Sequence, residues 1–525
     1  MSAQPTLDAV ARAVHESDAG AISVGAVARM VECRIPAHAV LAFADRLAGV
    51  GLDVQWIAAA DTRAARGHMT LAYHFATPVH RPAVTAQVDV DDAFPSLATR
   101  SFAASRFERE IQDLFGLVAT GHPDPRRLAV HQFWPDGYHP LRRDATPPAR
   151  LQDDGRPFPF RRVDGPGVFE ITVGPVHAGI IEPGHFRFSV EGETIVNLEA
   201  RLGFVHKGTE KLFERLPLAR APELAERISG DTSVGHALAL CQALESLAGV
   251  RVPERAAWLR VLLLELERLY NHVGDVGMIL NDTGYAFGHA HCFRLRERLL
   301  RLNARLTGHR LLRGAVVAGG VADPLASADI ERAAREVERI VAEFIDVARL
   351  SLDNTMVLER LQGTGRLTTR TAQEMQVVGL VGRASGIDAD ARRDAPFAAY
   401  DRLPISVPVY ADGDVWSRTM VRIDEARQSA TLISEVAHRA PAGELFSAPG
   451  RLRAGAQAIS LVEAWRGPIW HWAVAGEDDT IARLKVVDPS FRNWPALEYA
   501  VLNNIVPDFP LCNKSFNLSY SGNDL

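Results

Sequence analysis

Cysteine is scarce in this sequence. Its 525 residues contain four cysteines, Cys33, Cys241, Cys292 and Cys512, and no two of them form a Cys-x-x-Cys pair. Cysteines so far apart argue against a disulfide framework and against a zinc or iron–sulfur site built by this chain alone. The pattern fits a protein of a reducing compartment.

Long apolar runs are lacking as well. The longest, such as residues 261–264, are interrupted by charges within a turn or two, whereas a membrane-spanning helix needs roughly 18 or more apolar residues. Asp8 and Glu16 interrupt the N-terminal segment, which therefore does not resemble a secretory signal. We expect a cytoplasmic chain with no direct membrane span, so that any membrane attachment depends on partner proteins.

The chain has no marked excess of charge of one sign. It carries 58 Lys and Arg against 64 Asp and Glu, a formal net charge of -6, and no basic cluster that would bind phosphates or anionic lipid. It also lacks a Gly-x-Gly-x-x-Gly motif after a predicted strand, which a dinucleotide site would need. Nucleic acid is therefore not an expected partner, and any NAD would bind to another protein.

The residues that are present suffice for a large globular protein. Hydrophobic residues make up 47% of the chain, and at roughly 150 residues per domain the length predicts two or three domains. We predict a small α+β domain over residues 1–145 and, over residues 167–525, a mainly α-helical domain with an antiparallel β-hairpin at its start. Residues 146–166 are rich in Pro and Arg and predict a linker, because X-Pro steps disfavour helix.

Hydrophobic periodicity predicts the secondary structure in outline. In the first domain, β-branched and aromatic residues with partial alternation predict three strands and one helix. In the second domain, leucines at i, i+3 and i+4 spacing predict long helices with charged opposite faces from Pro253 onward. The predicted strands cover residues 54–57, 70–75 and 84–90, and the predicted helices include residues 40–48, 295–311 and 330–350.

Three motifs follow one another near the end of the first domain. Residues 107–116 contain Glu-Arg-Glu-x-x-Asp-Leu-Phe-Gly, residues 121–123 are Gly-His-Pro, and residues 140–144 are Pro-Leu-Arg-Arg-Asp. In this order they resemble the signature of the subunit of about 30 kDa of respiratory complex I. The resemblance implies that the charged residues of the first motif dock the domain on electron-transfer subunits; a solvated amphipathic helix is the alternative.

The second domain resembles the large subunit of nickel–iron hydrogenases and the related 49 kDa subunit of complex I. The resemblance begins with residues 173–188 and 202–212. Residues 226–236 correspond to the hydrogenase segment Arg-Ile-Cys-Gly-x-Cys, and residues 487–494 correspond to Asp-Pro-Cys-x-x-Cys. The four positions of the metal-binding cysteines hold Ser229, Thr232, Ser490 and Asn493.

These replacements change the expected chemistry. Nickel and low-spin iron are held by soft thiolates, whereas a serine or threonine hydroxyl is not ionised near neutral pH and an asparagine amide is neutral. We therefore expect neither a nickel–iron centre nor another cofactor bound by this chain itself. The 32 residues after Asn493 fit this expectation, because nickel enzymes usually lose such a segment by proteolysis during maturation.

The resemblance also implies which residues surround the vacated site. Glu182 takes the place of the glutamate that passes protons to and from the metals, and Arg466 that of an arginine that overhangs them; taken alone, Glu182 is equally typical of a turn before a strand. We expect Ser229 and Ser490 to lie close together beside a polar, hydrated pocket with an arginine–carboxylate network. The expected catalytic candidates are Glu182, Arg227, Asp231, Arg466 and Asp488.

A quinone site is implied by the likeness to complex I. His177 falls on the first histidine of a Gly-Pro-Gln-His-Pro motif, whereas Ile181 replaces the later histidine that contacts quinone. His185 lies close to that position in the sequence, and Asp282 matches the aspartate that supports the quinone-contacting histidine. The candidate quinone-binding residues are therefore His177, His185 and Asp282.

The two resemblances together cover nearly the whole chain. Energy-converting hydrogenases of the formate hydrogenlyase type contain the same fusion of a 30 kDa-like and a 49 kDa-like part. The resemblance implies a subunit of a membrane-associated, complex I-like oxidoreductase on the inner face of the cell membrane, coupling electron transfer to ion movement. It implies as partners an iron–sulfur small subunit with a 4Fe–4S cluster and antiporter-like membrane subunits, and as acceptor a quinone or a similar molecule.

Three alternatives stay open. The first is an active nickel–iron hydrogenase, against which the missing cysteines argue. The second is a non-catalytic subunit whose cavity is filled by side chains and which passes conformational change to partner membrane subunits. The third is a globular protein in which the motifs are coincidental.

Overall fold

The first part of the chain contains a five-stranded sheet. The structure is a computed structural model that describes residues 5–16, 22–25, 30–179, 181–322 and 324–525. The strand order is β1-β2-β5-β4-β3, with β2 and β5 parallel and the other neighbours antiparallel. The strands are β1 (Ile22–Gly25), β2 (Met30–Arg34), β3 (Asp53–Ala60), β4 (Met69–Ala76) and β5 (Ala83–Val90).

Helices and a small second sheet complete this part. Strands β6 (Ala93–Pro95) and β7 (Val118–Thr120) form a parallel pair. The helices are α1 (Leu7–His15), α2 (Val40–Gly49), α3 (Arg63–Arg66) and α4 (Phe102–Phe115). The predicted α+β class is confirmed, and the three predicted strands and the predicted helix are β3, β4, β5 and α2. The prediction missed β1 and β2, which are short and lie at one side of the sheet.

The second part begins with three antiparallel strands rather than a simple hairpin. Strands β8 (Val168–Val173), β9 (His185–Glu191) and β10 (Thr194–Arg201) form a sheet in the order β10-β9-β8. The predicted hairpin corresponds to β9 and β10. Strand β8 was missed because it precedes the loop of residues 174–184, which separates it from β9 in sequence.

Helices dominate the rest, as predicted. The predicted helix over residues 295–311 is α9, which begins and ends earlier, and the one over residues 330–350 is α10. The helices up to residue 361 are α5 (Thr209–Phe213), α6 (Ala221–Ala225), α7 (Ser233–Ala248), α8 (Glu254–Asp282), α9 (Ala286–Thr307), α10 (Ser327–Leu352) and α11 (Thr355–Leu361). Strands β11 (Val316–Val317) and β12 (Gly320–Val321) form a short hairpin between α9 and α10.

The remaining elements complete the second part. The helices are α12 (Thr369–Glu374), α13 (Gly379–Ala384), α14 (Ala391–Asp394), α15 (Val415–Arg439), α16 (Pro489–Ala500), α17 (Phe509–Phe516) and α18 (Tyr520–Asp524). Between α15 and α16 lies an antiparallel sheet in the order β13-β14-β15. Its strands are β13 (Gln457–Glu463), β14 (Pro468–Ala475) and β15 (Ile481–Val487).

Helix α8 is buried on all sides. Its predicted apolar face is buried, but so are Glu265, Glu267 and Arg268 on the face that was expected to be solvated. Arg268 bonds to Glu425 of α15 at 3.2 Å, and Glu425 lies 2.8 Å from Nε2 of His272. The charged face is therefore an internal ionic network, which is tolerated because the buried charges are paired.

The first and second parts of the chain share one hydrophobic core where they meet. Trp470 and Trp472 of β14 and Phe491 of α16 pack with the hydrophobic residues of the first sheet. The ring centroids of Trp56 and Trp472 are 6.0 Å apart. Strand β14 is thus buried from both sides, since α7 packs on its other face.

The charged residues of α4 hold the chain together and do not form a free docking surface. Glu110 accepts two hydrogen bonds from Lys485 of β15, at 2.6 and 2.8 Å. Asp113 accepts hydrogen bonds from the backbone N–H groups of Leu128 and Ala129, at 2.7 and 2.8 Å. The predicted docking role is corrected for these residues, because their carboxylates are buried within this chain.

The predicted linker contains no helix or strand but is packed on the second part. The Arg187 guanidinium lies 4.1 Å from the ring centroid of Phe160, and the backbone N–H of Arg161 donates to Glu199 at 2.9 Å. The linker therefore covers β9 and β10. None of the helices in the described ranges is long and apolar enough to cross a membrane.

Candidate active-site cavity

Two of the vacated ligand positions lie on either side of Ser519. The hydroxyl oxygens of Ser229 and Ser519 lie 2.8 Å apart, within hydrogen-bond distance, and the backbone N–H of Ser519 donates to the Ser490 hydroxyl at 2.9 Å. Ser229 lies in the turn between α6 and α7, whereas Ser490 lies in the first turn of α16. One residue of the C-terminal segment thus joins two segments that are distant in sequence.

An ion pair lies beside these hydroxyls. Arg466 donates to both carboxylate oxygens of Asp231, at 2.6 and 2.7 Å. The carboxylate also accepts hydrogen bonds from the hydroxyls of Ser229 and Thr232, at 2.9 and 3.0 Å. The Arg466 guanidinium lies 3.9 Å from the ring centroid of Trp465, whose indole N–H donates to the Thr232 hydroxyl at 3.1 Å. Two hydroxyls and an aromatic ring therefore fix the pair.

The ion pair sets the charge of the site. Side-chain exposure is 4% for Arg466 and 37% for Asp231. Burial alone would raise the pKa of Asp231, but the charge of Arg466 and the hydrogen bonds from Arg466 and the hydroxyls lower that pKa to about 2. Asp231 is therefore a carboxylate at neutral pH.

Asp488 supports the cluster from the buried side. It is the N-cap of α16, where its carboxylate accepts a hydrogen bond from the N–H of Ser490 at 2.7 Å. Its other oxygen lies 3.0 Å from Nε2 of His236, whose Nδ1 is 3.3 Å from His471. Burial alone would raise the pKa of Asp488, but the His236 hydrogen bond and nearby positive charge lower it.

Two predicted residues lie outside the cluster. The Arg227 side chain is 54% exposed, and its guanidinium donates to the backbone carbonyl of Glu223. The expectation that Arg227 lines the pocket is therefore corrected: it lies on the exposed side of the turn before α7. The Asn493 amide exchanges two hydrogen bonds of 3.0 Å with the backbone of Val378, so it is not available to Ser229 and Ser490.

A polar cavity of about 410 Å³ opens beside the ion pair. Of the five catalytic candidates, Glu182, Asp231 and Arg466 line it. Helices α8 and α9 and the C-terminal segment form most of the wall. The polar residues of this wall, apart from those three, include Ser229, Asn271, Asp275, Arg296, Asn513, Lys514, Asn517, Ser519 and Tyr520.

Glu182 reaches the C-terminal segment at the edge of this cavity. Its carboxylate accepts a hydrogen bond from the backbone N–H of Ser521 at 3.1 Å. The Lys207 ammonium bonds to the Ser521 hydroxyl, and burial lowers the pKa of Lys207. A half-buried carboxylate and an ammonium group thus approach the same residue at the edge of the cavity.

The two candidate quinone histidines do not line the cavity. His177 Nε2 lies 2.7 Å from the backbone carbonyl of Gly184, so this ring closes the loop between β8 and β9. His185 packs against Phe160 of the linker, with ring centroids 5.3 Å apart. Both rings therefore lie at the loop and the linker and not in the wall of this cavity, and their contact with a quinone stays a prediction.

Asp282 reaches the cavity through another residue. Its carboxylate accepts a hydrogen bond from Lys514 Nζ at 2.5 Å, and Lys514 lines the cavity. In place of an aspartate–histidine pair, the structure thus has an aspartate–lysine pair. The cavity keeps a charged hydrogen-bond donor that an aspartate orients.

Several cavity residues were not predicted. Asp275 accepts hydrogen bonds from Arg422 at 2.9 Å and from Asn517 at 2.7 Å. Arg296 has no carboxylate partner within 4.0 Å in the ranges that the structure describes. A Cβ on Gly274 would lie 2.7 Å from Arg296 Cδ, so this glycine lets the arginine lie against α8. The polar composition of residues 513–521 was the sequence signal for the C-terminal contribution.

The residues at the vacated positions do not fit a nickel–iron centre. Ser229 and Ser490 are hydrogen-bonded through Ser519, and Asn493 is bonded to the backbone. Neutral hydroxyl and amide oxygens are poor ligands for metals that prefer thiolates. Within the described residues, no group of three or more His, Cys, Asp or Glu could hold a metal ion.

Known proteins resemble both parts of the chain. The family model described as respiratory-chain NADH dehydrogenase, 30 Kd subunit, matches residues 33–150, and the model for the 49 Kd subunit matches residues 282–454. Formate hydrogenlyase subunit 5 of Escherichia coli (strain K12) is 34% identical over 477 residues, which cover 88% of this chain and 83% of that protein. Hydrogenase-4 component G of the same organism is 33% identical, covering 88% of this chain and 82% of that protein.

A solved structure shares the fold of most of the chain. It is a chain of the membrane-bound sulfane sulfur reductase (MBS), an archaeal respiratory membrane complex. The TM-score is 0.65 at 26% sequence identity, and the match covers 69% of this chain and 99% of that chain. The likeness therefore extends over nearly the whole of the compared chain.

Proposed function

This chain belongs to the family of fused complex I-like and hydrogenase-like subunits that includes formate hydrogenlyase subunit 5, and we propose that it is a nickel-free large subunit whose cavity binds the electron acceptor. It is a subunit of a complex I-like or hydrogenase-like membrane respiratory complex. Within that complex, the proposed acceptor is a quinone or a similarly small molecule.

One observation carries this proposal. The Arg466–Asp231 pair and the hydroxyls around it take up the hydrogen-bonding capacity of the vacated positions, yet a cavity of about 410 Å³ stays open beside them. A subunit that served only as a scaffold would gain stability by filling such a space, because a cavity forfeits packing contacts. An open, polar cavity supports ligand binding.

The cavity offers suitable donors for an acceptor that gains negative charge. Lys514, oriented by Asp282, and Arg296 both line it. Cations placed where charge develops stabilise the reduced form of an acceptor. We propose that Glu182, at the edge of the same cavity, holds the proton that accompanies reduction.

The partners are proposed from the family. We propose that an iron–sulfur small subunit presents a 4Fe–4S cluster to the Ser229 side of the cavity, and that antiporter-like membrane subunits carry the coupled ion. The chain itself would lie on the inner face of the membrane and be attached through these subunits. Pull-down of the tagged chain from membranes should recover an iron–sulfur subunit, and recovery of the chain alone would count against this arrangement.

A second candidate function is conformational coupling without electron transfer to a bound acceptor. It is supported by the contact between Asp275 on the cavity wall and Arg422 of α15, at 2.9 Å. The same helix carries Glu425, which is bonded to His272 of α8. A ligand that altered the Asp275 contact would act on this internal network.

Metal analysis combined with an acceptor assay tests the main proposal. The purified complex should contain no stoichiometric nickel, should not evolve hydrogen from reduced methyl viologen, and should oxidise that donor when a quinone analogue is added. About one nickel per chain would overturn the proposal, because the donor set would then hold the metal after all. If the complex is free of nickel but oxidises the reduced donor neither with the quinone analogue nor with a second acceptor such as polysulfide, the coupling role is favoured.

A further inference from the structure

A second cavity, of about 510 Å³, lies on the opposite side of the loop that carries Arg466. Its walls come from β3 and the turn after β4, from residues 373–389, and from the loop and helix that flank β14 and β15. It shares no lining residue with the cavity of about 410 Å³. It lies where the first and second parts of the chain meet.

An arginine without a counter-ion lines this second cavity. Arg492 is 7% exposed, and its terminal nitrogens donate to the side-chain oxygen of Gln55 at 2.9 Å and to the backbone carbonyl of Gln376 at 2.8 Å. No carboxylate lies within 4.0 Å of it among the residues that the structure describes. Its Nε is buried without a hydrogen-bond partner. Burial lowers the pKa of Arg492 to about 10, which leaves it charged at neutral pH.

Such an arginine is costly for the fold. Burial of a charge is tolerated when the charge is paired, and a buried donor without a partner destabilises the folded state. Some buried arginines of this chain are paired with carboxylates: Arg383 bonds to Glu463 at 2.9 Å, and Arg392 bonds to Asp390 at 2.7 Å. Arg418 has no carboxylate partner, but all three of its guanidinium nitrogens donate hydrogen bonds. Arg492 has neither a carboxylate partner nor a full set of hydrogen bonds, and it lines a cavity with room for a partner from outside the chain.

A second unpartnered polar group lines the same cavity. His80 is 5% exposed, and its Nδ1 has no hydrogen-bond partner. Burial lowers the pKa of His80 to about 3, so the ring is neutral. Its backbone φ is 68°, and Gln376 on the same wall has φ 54°. Non-glycine residues in this left-handed region are uncommon and gather at ligand sites.

The charges and the apolar wall restrict the class of ligand. Glu463 is neutralised by Arg383 and Asp388 by Arg393 at 2.7 Å. The exposed Asp53 acts on Arg492 through its charge, but from more than 4.0 Å away. Three carboxylates on the wall disfavour a multiply charged anion, whereas the free guanidinium favours a single negative charge. The apolar part of the wall includes Pro78, Val377, Val378, Ile387 and Pro468.

We propose that this cavity is a binding site for a small organic carboxylate. Arg492 holds the charged end, because a guanidinium matches the planar geometry of a carboxylate. The apolar body of the ligand lies against Val377 and Ile387, beside the neutral ring of His80. A volume of about 510 Å³ is in the ordinary range for small-molecule sites.

The ligand is placed to act on the first cavity. A Cβ on Gly379, which lines the second cavity, would lie 2.0 Å from the backbone carbonyl oxygen of Arg466. Glu463 and Pro468 line the second cavity at the two ends of the loop that carries Arg466. A ligand bound in the second cavity would therefore change the position of Arg466 and, with it, the contact between Arg466 and Asp231.

Equilibrium dialysis with labelled benzoate tests the proposal on the purified complex. Benzoate is a monoanion with an apolar ring, and benzamide is its neutral counterpart. We expect one saturable benzoate site per chain, at least about tenfold weaker binding in Arg492→Met, and weak binding of benzamide. Arg370→Met, which removes an exposed arginine of α12 that does not line the cavity, is the matched control and should stay within about twofold of the original affinity.

A second variant keeps the test decisive if Arg492→Met fails to fold. Ile387→Trp retains the arginine but fills the apolar wall, so it should abolish benzoate binding. The proposal is overturned if the original complex shows no saturable binding at millimolar benzoate. It is also overturned if Ile387→Trp and a folded Arg492→Met bind as tightly as the original.

Discussion

From the geometry of the Arg466–Asp231 pair we predict that Asp231→Asn destabilises the structure locally, around that pair. The carboxylate accepts two hydrogen bonds from Arg466 and one each from Ser229 and Thr232. An asparagine side chain keeps the size but has one acceptor oxygen, and its amide group would face a guanidinium donor. The substitution therefore leaves a buried cation without its counter-ion.

The magnitude follows from the burial of the two partners. Removing one partner of a fully buried pair costs about 3–5 kcal/mol. Asp231 is 37% exposed, so solvent screening reduces this cost, and we expect about 2–4 kcal/mol. Ser229→Ala is the matched control: it removes one neutral hydrogen-bonding group from the same cluster and should cost about 1 kcal/mol.

Hydrogen exchange in the purified complex measures this effect where it occurs. Local opening of residues 226–236 and 513–521 should become about 30- to 1,000-fold more frequent in Asp231→Asn, because each factor of ten corresponds to 1.36 kcal/mol. Peptides from the first sheet should be unchanged. Unchanged protection in both segments, or an equal effect of Ser229→Ala, would refute the view that the ion pair holds this site together.

The pH dependence gives the same prediction an independent check. The pKa of Asp231 is lowered to about 2 from a usual value of 3.8. Stabilisation by the pair is therefore fully present above about pH 4 and is lost as the pH falls toward 2. The difference between Asp231→Asn and the original protein should be constant near neutral pH and should shrink below pH 4.

Three further substitutions test other parts of the structure. Lys485→Met leaves Glu110 buried without its cation and should lower the free energy of unfolding by about 3–5 kcal/mol in chemical denaturation. The double variant Lys485→Met, Glu110→Met should regain most of that stability. A double variant no more stable than Lys485→Met would contradict the pairing. In steady-state kinetics, Lys514→Met should raise the KM for the acceptor at least about tenfold, and Asp282→Asn should raise it by a smaller factor. An unchanged KM in Lys514→Met would show that Lys514 does not contact the acceptor. Burial raises the pKa of Glu267 to about 8, so between about pH 4.5 and 8 the folded state binds one proton more than the unfolded state, and the free energy of unfolding should fall as the pH rises through this range. Glu267→Gln should show a weaker dependence of the free energy of unfolding on pH in chemical denaturation. An equal dependence in both proteins would exclude this titration.

The sequence predicted the elements whose evidence is local. Leucine spacing predicted both ends of α10 and the C-terminal end of α9 to within about one helical turn, and the β-branched runs predicted β3, β4 and β5. These patterns follow from backbone periodicity and need no knowledge of distant residues. The vacated ligand positions were found because four replaced residues keep the spacing of a known motif.

What the sequence did not predict depends on contacts between distant segments. Strand β14 shows no alternation of buried residues, because the first sheet covers one face and α7 the other. Glu110 and Lys485 form their pair across the two parts of the chain, and no local pattern distinguishes a buried pair from a solvated one. The roles of Lys514 and Ser519 likewise arise only when the C-terminal segment packs against α8 and α16.

In the nickel-free subunit that we propose, the C-terminal segment takes the place of a metal as a crosslink. A metal bound by residues near 229 and 490 would crosslink two distant segments, and losing it removes that crosslink. Here Ser519 joins Ser229 to Ser490, and the backbone carbonyl of Asn517 accepts a hydrogen bond from Arg466 Nε at 2.5 Å. Individual hydrogen bonds are weak, but the buried aromatic residues of α17 and α18 add packing to them. The C-terminal segment therefore supplies the crosslink. In a variant with cysteine at positions 229, 232, 490 and 493, Ser519 and Arg466 would still occupy the space in which a metal would have to bind.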